Sequence, residues 1–243
     1  MRVRTGTSGF SYPAWTGPFY PAGTKRPDML SFYASRLGSV EINNTFYRMP
    51  KTDLLERWRD AVPDTFRFAL KASRRITHQQ RLRDAADSVD YLFRTAEVLG
   101  ERLGPFLFQL PPYLRRDVDR LASFLELLPD GMRAAFEFRH ASWFDDEVFA
   151  LLADAGASLC IADAGGDHDA PLVATADFGY LRLRREDYDE AALRAWADRI
   201  RRQPWGETYV FFKHEDEGAG PRMAARFEAL LLESSPTPHR HEP

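Results

Sequence analysis

The sequence contains a single cysteine, Cys160, so the chain has no internal disulfide and no metal site built from several of its own cysteines. Cys160 lies in the apolar run SLCIAD, which indicates a small buried side chain. Hydrophobic runs long enough to span a bilayer are also missing. The first ten residues, MRVRTGTSGF, lack the apolar stretch of a signal peptide. We therefore expect a soluble, cytoplasmic protein with no membrane partner.

Positive charge is not in excess: 33 lysines and arginines stand against 36 aspartates and glutamates, and the formal net charge is −3. Nucleic-acid binding through a generally basic surface rests on many phosphate contacts, so this balance argues against it and leaves room only for a local basic pocket. Only four of the basic residues are lysines, namely Lys25, Lys51, Lys71 and Lys213. With 243 residues, 44% of them hydrophobic, the chain suffices for one α/β barrel or two small domains.

Eight short apolar runs rich in β-branched and aromatic residues recur along the chain and predict β-strands. They are VRTGTSG from Val3, SVEIN from Ser39, FRFALKA from Phe66, PFLFQL from Pro105, AAFEF from Ala134, SLCIAD from Ser158, GYLRLR from Gly179 and TYVFFKH from Thr208. Apolar residues three and four positions apart predict helices over 27–37, 54–61, 84–103, 118–128, 146–155, 190–202 and 221–232. Only the stretch after the sixth run, AGGDHDAPLVATADF, lacks a helical pattern.

Alternating strands and helices favour a parallel sheet covered by helices. Eight repeats fit a single (β/α)₈ TIM-type barrel over residues 1–233, since such barrels have roughly 250 residues. An open doubly wound sheet is the alternative, and it is disfavoured because no G-x-G-x-x-G turn follows the first strand. Residues 234–243 are proline-rich and polar, which predicts a disordered tail.

Charged residues alternate with large hydrophobic ones in several predicted strands. Side chains two positions apart share a face, so Glu137 and Arg139 lie opposite Phe136 and Phe138. In a barrel the hydrophobic face should contact the helices and the charged face should point to the axis. Strand ends then bring polar residues together at the C-terminal mouth, where barrel active sites are built. These residues are Glu41, Asn43, Lys71, Gln109, Glu137, Arg139, Asp163, Arg182 and either Lys213 or His214.

Glu41 and Glu137 are the first candidates for catalysis. They are three strands apart, which places them on opposite sides of the mouth, where two carboxylates can divide general-acid and general-base roles. Lys71 and His78 are counted with them as candidate catalytic residues. The alternative interpretation is an ion pair of Glu137 with Arg139, or of Glu41 with Arg182.

The predicted mouth holds more cations than carboxylates, which favours an anionic substrate. The candidate anion-binding residues are Lys71, Arg139, Arg182 and Lys213, with His78 and His140 nearby. Aromatic residues in the segments that follow strands can stack on a ring or a base. These are Tyr12, Trp15, Tyr47 and Trp143. The predicted substrate-binding set is completed by Asn43, Gln109 and Asp163.

These residues predict an enzyme that acts on an anionic, phosphate-bearing or nucleotide-like small molecule by carboxylate acid/base chemistry; hydrolase, isomerase and lyase reactions are not distinguished. No motif implies a cofactor. Histidines and carboxylates are numerous enough to hold Zn²⁺ or Mn²⁺, although no spacing follows a metal motif. The second prediction is therefore a metal-dependent phosphoesterase or nuclease-like hydrolase acting on a nucleic-acid fragment. The third is a regulatory barrel that binds an anionic ligand without turning it over.

Five unusual blocks occur together: GTSGFSYPAWTGPFYP, VEINNTFYRMP, FALKASRRITH, LGPFLFQLPP and FEFRHASW. With them the chain resembles the YecE-like family, number 72 among the domains of unknown function. The resemblance implies a TIM-type barrel and no established activity. It points to Tyr12, Trp15, Glu41, Asn43, Thr45, Tyr47, Lys71, Thr77, His78, Gln109, Glu137, Arg139 and Trp143 as signature residues. The chain departs from the family pattern at Arg184, where a histidine is frequent, and at Lys213 and His214, where asparagines are frequent.

Overall fold

Eight parallel strands close into a barrel in the computed structural model, which describes residues 1–165, 170–213 and 216–233. The strands are β1 (Arg2–Ser8), β2 (Ser39–Ile42), β3 (Arg67–Lys71), β4 (Leu103–Gln109), β5 (Ala134–Glu137), β6 (Ser158–Asp163), β7 (Phe178–Leu183) and β8 (Glu207–Phe212). Each strand pairs with its neighbours in sequence, and β8 closes the sheet against β1, with Thr7 opposite Phe212. The predicted TIM-type barrel is confirmed, and the open-sheet alternative is wrong.

Seven α-helices within the described residues cover the barrel. They are α1 (Arg26–Ala34), α2 (Thr52–Asp60), α3 (Ala86–Ala96), α4 (Val118–Leu125), α5 (Asp146–Asp154), α6 (Glu190–Arg201) and α7 (Ala219–Glu233). A helix follows every strand except β6, after which none lies in the described parts of 164–177, as the sequence predicted. Three helices begin after an aspartate whose side chain accepts a backbone N–H of the first turn: Asp117, Asp145 and Asp189.

The third helix is shorter than the predicted 84–103. Asp84 has a φ of 47°, which is left-handed, and the chain becomes helical only at Ala86. At the other end Gly100, with φ 55°, lies inside a 3₁₀ segment at Glu97–Arg102 and breaks the helical path before β4. The backbone conformation at both ends therefore makes this helix shorter than its amphipathic sequence pattern.

Apolar layers fill both sides of the sheet, and charged groups close the barrel at its ends. Outward side chains such as Phe68 and Phe136 join the main core beneath the helices. Inside the barrel lies a separate layer formed by Ala69, Leu107, Ala135, Cys160, Phe178, Tyr180, Tyr209 and Phe211. At the N-terminal ends of the strands, Glu207 forms ion pairs with Arg4 and Arg133. The interior is packed like a core, so the groups open to a ligand lie at the C-terminal end.

Two further predictions concern the surface and the termini. The tail predicted to be disordered, residues 234–243, lies outside the described residues. Among the helices of the described residues, none combines the length and the apolar character needed to cross a membrane.

Candidate functional site at the barrel mouth

The first wall of the mouth is shaped by the turn that follows β1. Gly9 has a φ of 91°, and a side chain there would come within 2.5 Å of the Tyr12 hydroxyl. The glycine therefore lets the chain fold back so that Tyr12 donates a hydrogen bond to the Ser8 carbonyl oxygen at 2.6 Å. This contact holds the Tyr12 ring at the rim of the mouth. Ser8 is the last residue of β1, and its hydroxyl points to the barrel interior.

Arg182 on β7 joins the two candidate catalytic carboxylates. Its Nη1 lies 2.5 Å from Glu137 Oε2, and its Nη2 lies 2.9 Å from Glu41 Oε1. All three residues are buried, with exposed fractions of 2%, 2% and 0% for Arg182, Glu137 and Glu41. Glu41 and Glu137 thus face each other across the mouth as predicted, but a guanidinium group lies between them.

Neutral side chains satisfy the remaining oxygens of Glu41. Oε1 accepts hydrogen bonds from the Ser8 hydroxyl at 2.7 Å and from Asn43 Nδ2 at 3.1 Å, while Oε2 accepts one from the Tyr180 hydroxyl at 2.8 Å. Burial alone would raise the pKa of Glu41, but the charge of Arg182 and these hydrogen bonds outweigh it and lower the pKa below its usual value. Glu41 is consequently ionised at neutral pH.

Glu137 is held in the same way. Its Oε1 accepts a hydrogen bond from Gln109 Nε2 at 2.8 Å and lies 3.6 Å from Arg184 Nη1. Burial opposes ionisation, yet the charges of Arg182 and Arg184 lower the pKa of Glu137 below its usual value. Neither carboxyl group carries a proton near pH 7, so neither is ready to act as a general acid.

Lys71, at the end of β3, has a different environment. Its ammonium group donates to Gln109 Oε1 at 2.8 Å and lies 4.3 Å from the centre of the Phe46 ring. The Thr45 hydroxyl lies 2.6 Å from the Lys71 carbonyl oxygen, which ties the segment after β2 to the end of β3. Burial and the charge of Arg182 lower the pKa of Lys71 to about 8, although Glu41 and Glu137 act in the opposite direction. Lys71 is therefore the mouth residue that changes charge closest to neutral pH.

These side chains surround a cavity of about 280 Å³ at the mouth. It is lined by Ser8, Tyr12, Asn43, Phe46, Tyr47, Lys71, Gln109, Arg139, Arg182, Arg184 and Lys213. Five cations lie in this lining, and the carboxylates bound to them are Glu41 and Glu137, so the described part of the mouth has a formal charge of +3. Among the described residues, positive charge therefore predominates around the cavity.

One protein family matches nearly the whole chain: the profile described as "Protein of unknown function DUF72" aligns with residues 4–243. The chain belongs to the DUF72 family. A DUF72 protein of Thermotoga maritima MSB8 has a solved structure that is similar to this one, with a TM-score of 0.84, 26% sequence identity and coverage of 96% of this chain and 100% of that chain. The resemblance read from the sequence blocks is thereby confirmed.

Two bacterial proteins are similar in sequence to part of this DUF72 chain. UPF0759 protein YecE of Escherichia coli (strain K12) is 35% identical over 116 residues, which is 47% of this chain and 43% of YecE. UPF0759 protein YunF of Bacillus subtilis (strain 168) is 30% identical over 139 residues, which is 54% of this chain and 49% of YunF. The matched stretches span less than half of either relative.

The DUF72 barrel brings most of the predicted site together. Eight residues of the predicted set line the cavity: Tyr12, Asn43, Tyr47, Lys71, Gln109, Arg139, Arg182 and Lys213. Glu41 and Glu137 lie buried beside it, paired with Arg182. Of the two ion pairs proposed as alternatives, Glu41 with Arg182 is present. Glu137 pairs with Arg182 and Arg184, and within the described residues it forms no pair with Arg139.

His78 lies next to the mouth without lining it. Its ring packs edge-on against Phe46, with 5.0 Å between ring centres, and its Nδ1 lies 2.9 Å from the Thr77 hydroxyl. Partial burial and the charge of Lys71 lower the pKa of His78, so the ring is neutral at pH 7. Its catalytic role remains a prediction. In the structure the His78 ring packs against Phe46, which lines the cavity.

Asp163 was expected in the mouth and lies on the opposite side of the sheet. Its Oδ2 accepts a hydrogen bond from Trp196 Nε1 at 2.9 Å, and its Oδ1 is 2.6 Å from Arg185 Nε. The reason is the alternation of β6: Cys160 points into the barrel, so Asp163, three positions later, points to the helices. The alternation of side chains along SLCIAD was sufficient to predict that Asp163 and Cys160 face opposite sides of the sheet.

Trp15, Trp143 and His140 also fail to reach the cavity. Trp15 is 1% exposed and packs against Tyr20. Trp143 is fully buried; it stacks on Phe138 at 4.7 Å and donates its indole N–H to a backbone carbonyl. His140 instead caps the short helix at Ala141–Trp143, with its Nδ1 accepting from a backbone N–H. None of these three residues lines the described cavity, because segments after strands supply wall packing as well as binding groups.

Three lining residues were absent from the predicted set, namely Ser8, Phe46 and Arg184. Arg184 could have been found by parity, since it lies two positions after Arg182 on the same strand line. Ser8, the last residue of β1, could have been found in the same way, since it lies two positions after Gly6 on the same face of the strand. Phe46 depends on the 3₁₀ turn Asn44–Phe46, for which the sequence carries no simple periodic signal.

The possible metal ligands in the sequence include Asp167, His168, Asp169 and His214, which lie outside the described residues. Within the described residues no three histidine, cysteine, aspartate or glutamate side chains form a group that could hold a metal ion. Among the described residues, the donor set at the mouth is made of cations and arginine-bound carboxylates, which does not suit a metal cation.

Replacing Asp163 with alanine tests its assignment to the helix side of the sheet. The change leaves the buried Trp196 indole N–H without its acceptor, so the free energy of unfolding should fall by about 1–3 kcal/mol in urea titrations. If the mouth binds sulfate, the affinity should be the same in Asp163→Ala as in the wild type. Asp163→Asn keeps an acceptor oxygen and should lose less stability. A loss of sulfate binding in Asp163→Ala, with unchanged stability, would instead indicate that Asp163 belongs to the mouth.

Proposed function

We propose that the mouth of this DUF72 barrel binds a phosphate-bearing small molecule or nucleotide-like substrate and that Lys71 exchanges a proton with it. The observation that carries the proposal is the charge balance around the cavity. Arg182 pairs with Glu41 and Glu137, and Arg184 lies 3.6 Å from Glu137, whereas Lys71, Arg139 and Lys213 line the cavity and form no ion pair within the described residues. A formal charge of +3 around about 280 Å³ suits a group with two negative charges.

Two details support a phosphate group. Arg184 Nε is buried and has no hydrogen-bond partner within the described residues, so this guanidinium has an unsatisfied donor next to the cavity. Arginine and lysine together offer a planar fork and a compact ammonium, the two groups that bind phosphate oxygens in proteins. The rings of Tyr12 and Tyr47 at the rim can pack on the organic part of such a ligand.

Lys71 is a better candidate for proton transfer than either glutamate. A general acid or base works best when its pKa lies near the operating pH, and Lys71 has a pKa of about 8. Glu41 and Glu137 are ionised and fully engaged, so their proposed part is to hold Arg182 and stabilise the positive charges around the ligand. This shifts the acid/base role that the sequence suggested from the carboxylates to the ammonium group.

Isothermal titration calorimetry with sulfate and with a nucleoside 5′-monophosphate tests the binding step. Arg184→Gln removes a charged donor from the lining and should weaken both ligands at least about tenfold. Arg185→Gln is the matched control, because its side chain pairs with Asp163 on the helix side. Equal affinities in wild type and Arg184→Gln, or an equal loss in Arg185→Gln, would contradict an anion site at the mouth.

The locked carboxylates favour a second candidate, a barrel that binds an anionic ligand without turning it over. In that case the ion pairs of Arg182 serve only to present a rigid cationic surface. Lys71→Arg separates the two, because it keeps the positive charge and removes the group that titrates near neutral pH. The non-catalytic barrel keeps its ligand affinity and its cellular role in this variant, whereas an enzyme that uses Lys71 for proton transfer loses turnover.

A further inference from the structure

A second and larger cavity, about 780 Å³, opens beside the mouth. We call it the side groove. Its walls are the segment after β2 (residues 47–51), the segment after β3 (residues 73–79) and the start of α3 (residues 87–92). Tyr47 lines both the side groove and the mouth, so the two cavities are neighbours across one tyrosine ring.

The side groove is rich in cations that have no carboxylate partner. Arg48, Lys51, Arg74 and Arg75 line it, against one carboxylate, Asp87. All four cations are exposed, and none forms an ion pair within the described residues. Many other surface arginines of the described chain do have such partners; examples are Arg57, Arg94 and Arg194. In a chain of net charge −3, these unpaired cations form the local basic surface that a polyanion requires.

Exposed aromatic rings lie in the same groove. Tyr47 is 72% exposed and Tyr91 is 60% exposed, and they are two of the five large hydrophobic side chains that the described residues leave exposed. Met49 and Leu92 also line the groove and supply its apolar contacts. Rings that are open to solvent beside unpaired cations form a stacking platform for unpaired bases, with the phosphates held by the charged residues.

The backbone of this wall is unusual. Residues Arg75–Gln79 form a π-helical turn, which is rare and is frequent at functional sites. The turn displays Arg75 and Gln79 to the side groove, and the His78 ring lies against Phe46 on the side of the mouth. One element therefore contributes to both cavities.

From these observations we propose that the side groove binds single-stranded nucleic acid, with bases stacked on Tyr47 and Tyr91 and with phosphates on Arg48, Lys51, Arg74 and Arg75. A phosphate of the bound strand then extends past Tyr47 into the mouth. This last step rests on the proposed function of the mouth, and it names the substrate class as an oligonucleotide. A duplex fits less well, because its bases are stacked on one another and unavailable to the two tyrosines.

Fluorescence anisotropy with labelled twelve-residue oligothymidylate at low salt tests the groove. We expect binding that weakens steeply as salt increases, since counterions are released from the phosphates. Arg74→Glu combined with Arg75→Glu should weaken binding at least about tenfold and flatten the salt dependence. Tyr47→Ala and Tyr91→Ala should each weaken it at least about fivefold, the loss of one base–ring stack.

Matched controls lie elsewhere on the barrel. Arg36→Glu combined with Arg202→Glu makes the same charge change before β2 and β8, at the end of the barrel opposite the mouth. Tyr113→Ala removes a ring that is 64% exposed outside the groove. Both controls should bind the oligonucleotide as the wild type does, and all variants should keep the wild-type melting temperature because the changed side chains are exposed.

Several results would overturn the inference. They are absence of oligothymidylate binding, equal losses in the groove and control variants, or equal affinity for duplex DNA. Displacement by poly-glutamate, together with unchanged binding in Tyr47→Ala and Tyr91→Ala, would assign the groove to acidic protein segments instead. Sulfate titration of the same variants keeps the two proposals apart. If sulfate binding depends on Arg184 but no oligonucleotide binds, the groove proposal is rejected and the mouth proposal stands. If the oligonucleotide binds but sulfate binding does not depend on Arg184, only the mouth proposal is rejected.

Discussion

Replacing Arg182 with glutamine is expected to lower the free energy of unfolding by about 3–5 kcal/mol. The guanidinium is the charged partner of two buried carboxylates, Glu41 and Glu137. Its removal leaves Glu41 without a cationic partner and leaves Glu137 with the more distant Arg184, at 3.6 Å. Ionised carboxylates that are buried and poorly compensated favour protonation or local opening. Glutamine removes the charge and offers one amide NH₂ group in place of the guanidinium that donates to both carboxylates, so the loss combines the missing charge with the missing hydrogen bonds.

Urea unfolding at pH 7 measures this loss. Arg94→Gln is the control, because Arg94 pairs with Asp90 at the surface, where an ion pair contributes roughly 0–1 kcal/mol. Combining Arg182→Met with Glu41→Gln and Glu137→Gln removes all three charges and should recover much of the stability, since neutral replacement of a buried ion pair is often tolerated. A loss below about 1 kcal/mol in Arg182→Gln would show that the three charges are far less coupled than their distances indicate.

The same cluster gives the stability a pH dependence of known sign. The pKa values of Glu41 and Glu137 are lower in the folded protein than their ordinary values, so the unfolded chain binds more protons as the pH falls. Their contribution to stability is complete above the unfolded pKa and is lost as the pH falls through the folded pKa. In Arg182→Gln the folded pKa values should rise, and the onset of acid unfolding should move to higher pH.

Most of the fold follows from local pattern. FEFRH illustrates this: Phe136 and Phe138 pack under the helices, while Glu137 and Arg139 belong to the mouth, as alternation along a strand requires. The same rule applied to β6 would have placed Asp163 correctly, since Cys160 fixes which face is inside. Where a residue lies in or directly beside a strand, the sequence is therefore sufficient to assign its side.

The chemistry of the mouth depends on contacts between residues far apart in sequence. Alternation places Glu41, Glu137 and Arg182 inside the barrel, but only the three-dimensional arrangement shows that one guanidinium lies within reach of both carboxylates. Trp143 illustrates a different limit. Its segment follows a strand, yet the local turn rotates the indole onto Phe138, and this rotation has no signature in residue type or spacing.

Lys71 is expected to make anion binding at the mouth depend on pH. Its pKa is lowered to about 8 by burial and by Arg182, so its charge is lost as the pH rises from 7 to 9.5. Sulfate keeps its charge over this range, and its affinity for the wild type should therefore fall as the pH rises through about 8. Lys71→Met should bind sulfate about 10–100-fold more weakly at pH 7, the loss of one charged hydrogen bond, and should show no such pH dependence.

The folding free energy provides an independent measure of the same group. The folded pKa of Lys71 is lower than its ordinary 10.5, so between about pH 8 and 10.5 the unfolded chain binds the extra proton. The destabilisation from burying the ammonium is therefore complete below about pH 8 and is relieved as the pH rises. The stability of the wild type relative to Lys71→Met should accordingly increase across this range. A constant difference would show that Lys71 titrates normally.

Lys71→Arg separates charge from proton transfer. Arginine keeps the positive charge at all accessible pH values, so sulfate should still bind at pH 7 and its affinity should no longer change near pH 8. If Lys71 transfers a proton in turnover of a phosphate-bearing substrate, both Lys71→Arg and Lys71→Met should lower the rate by about 10²–10⁴-fold. Lys25→Met, which removes an exposed lysine before α1, is the control and should leave binding and rate unchanged. Retention of full turnover by Lys71→Arg, with the wild-type pH profile, would limit Lys71 to anion binding and would favour the non-catalytic barrel.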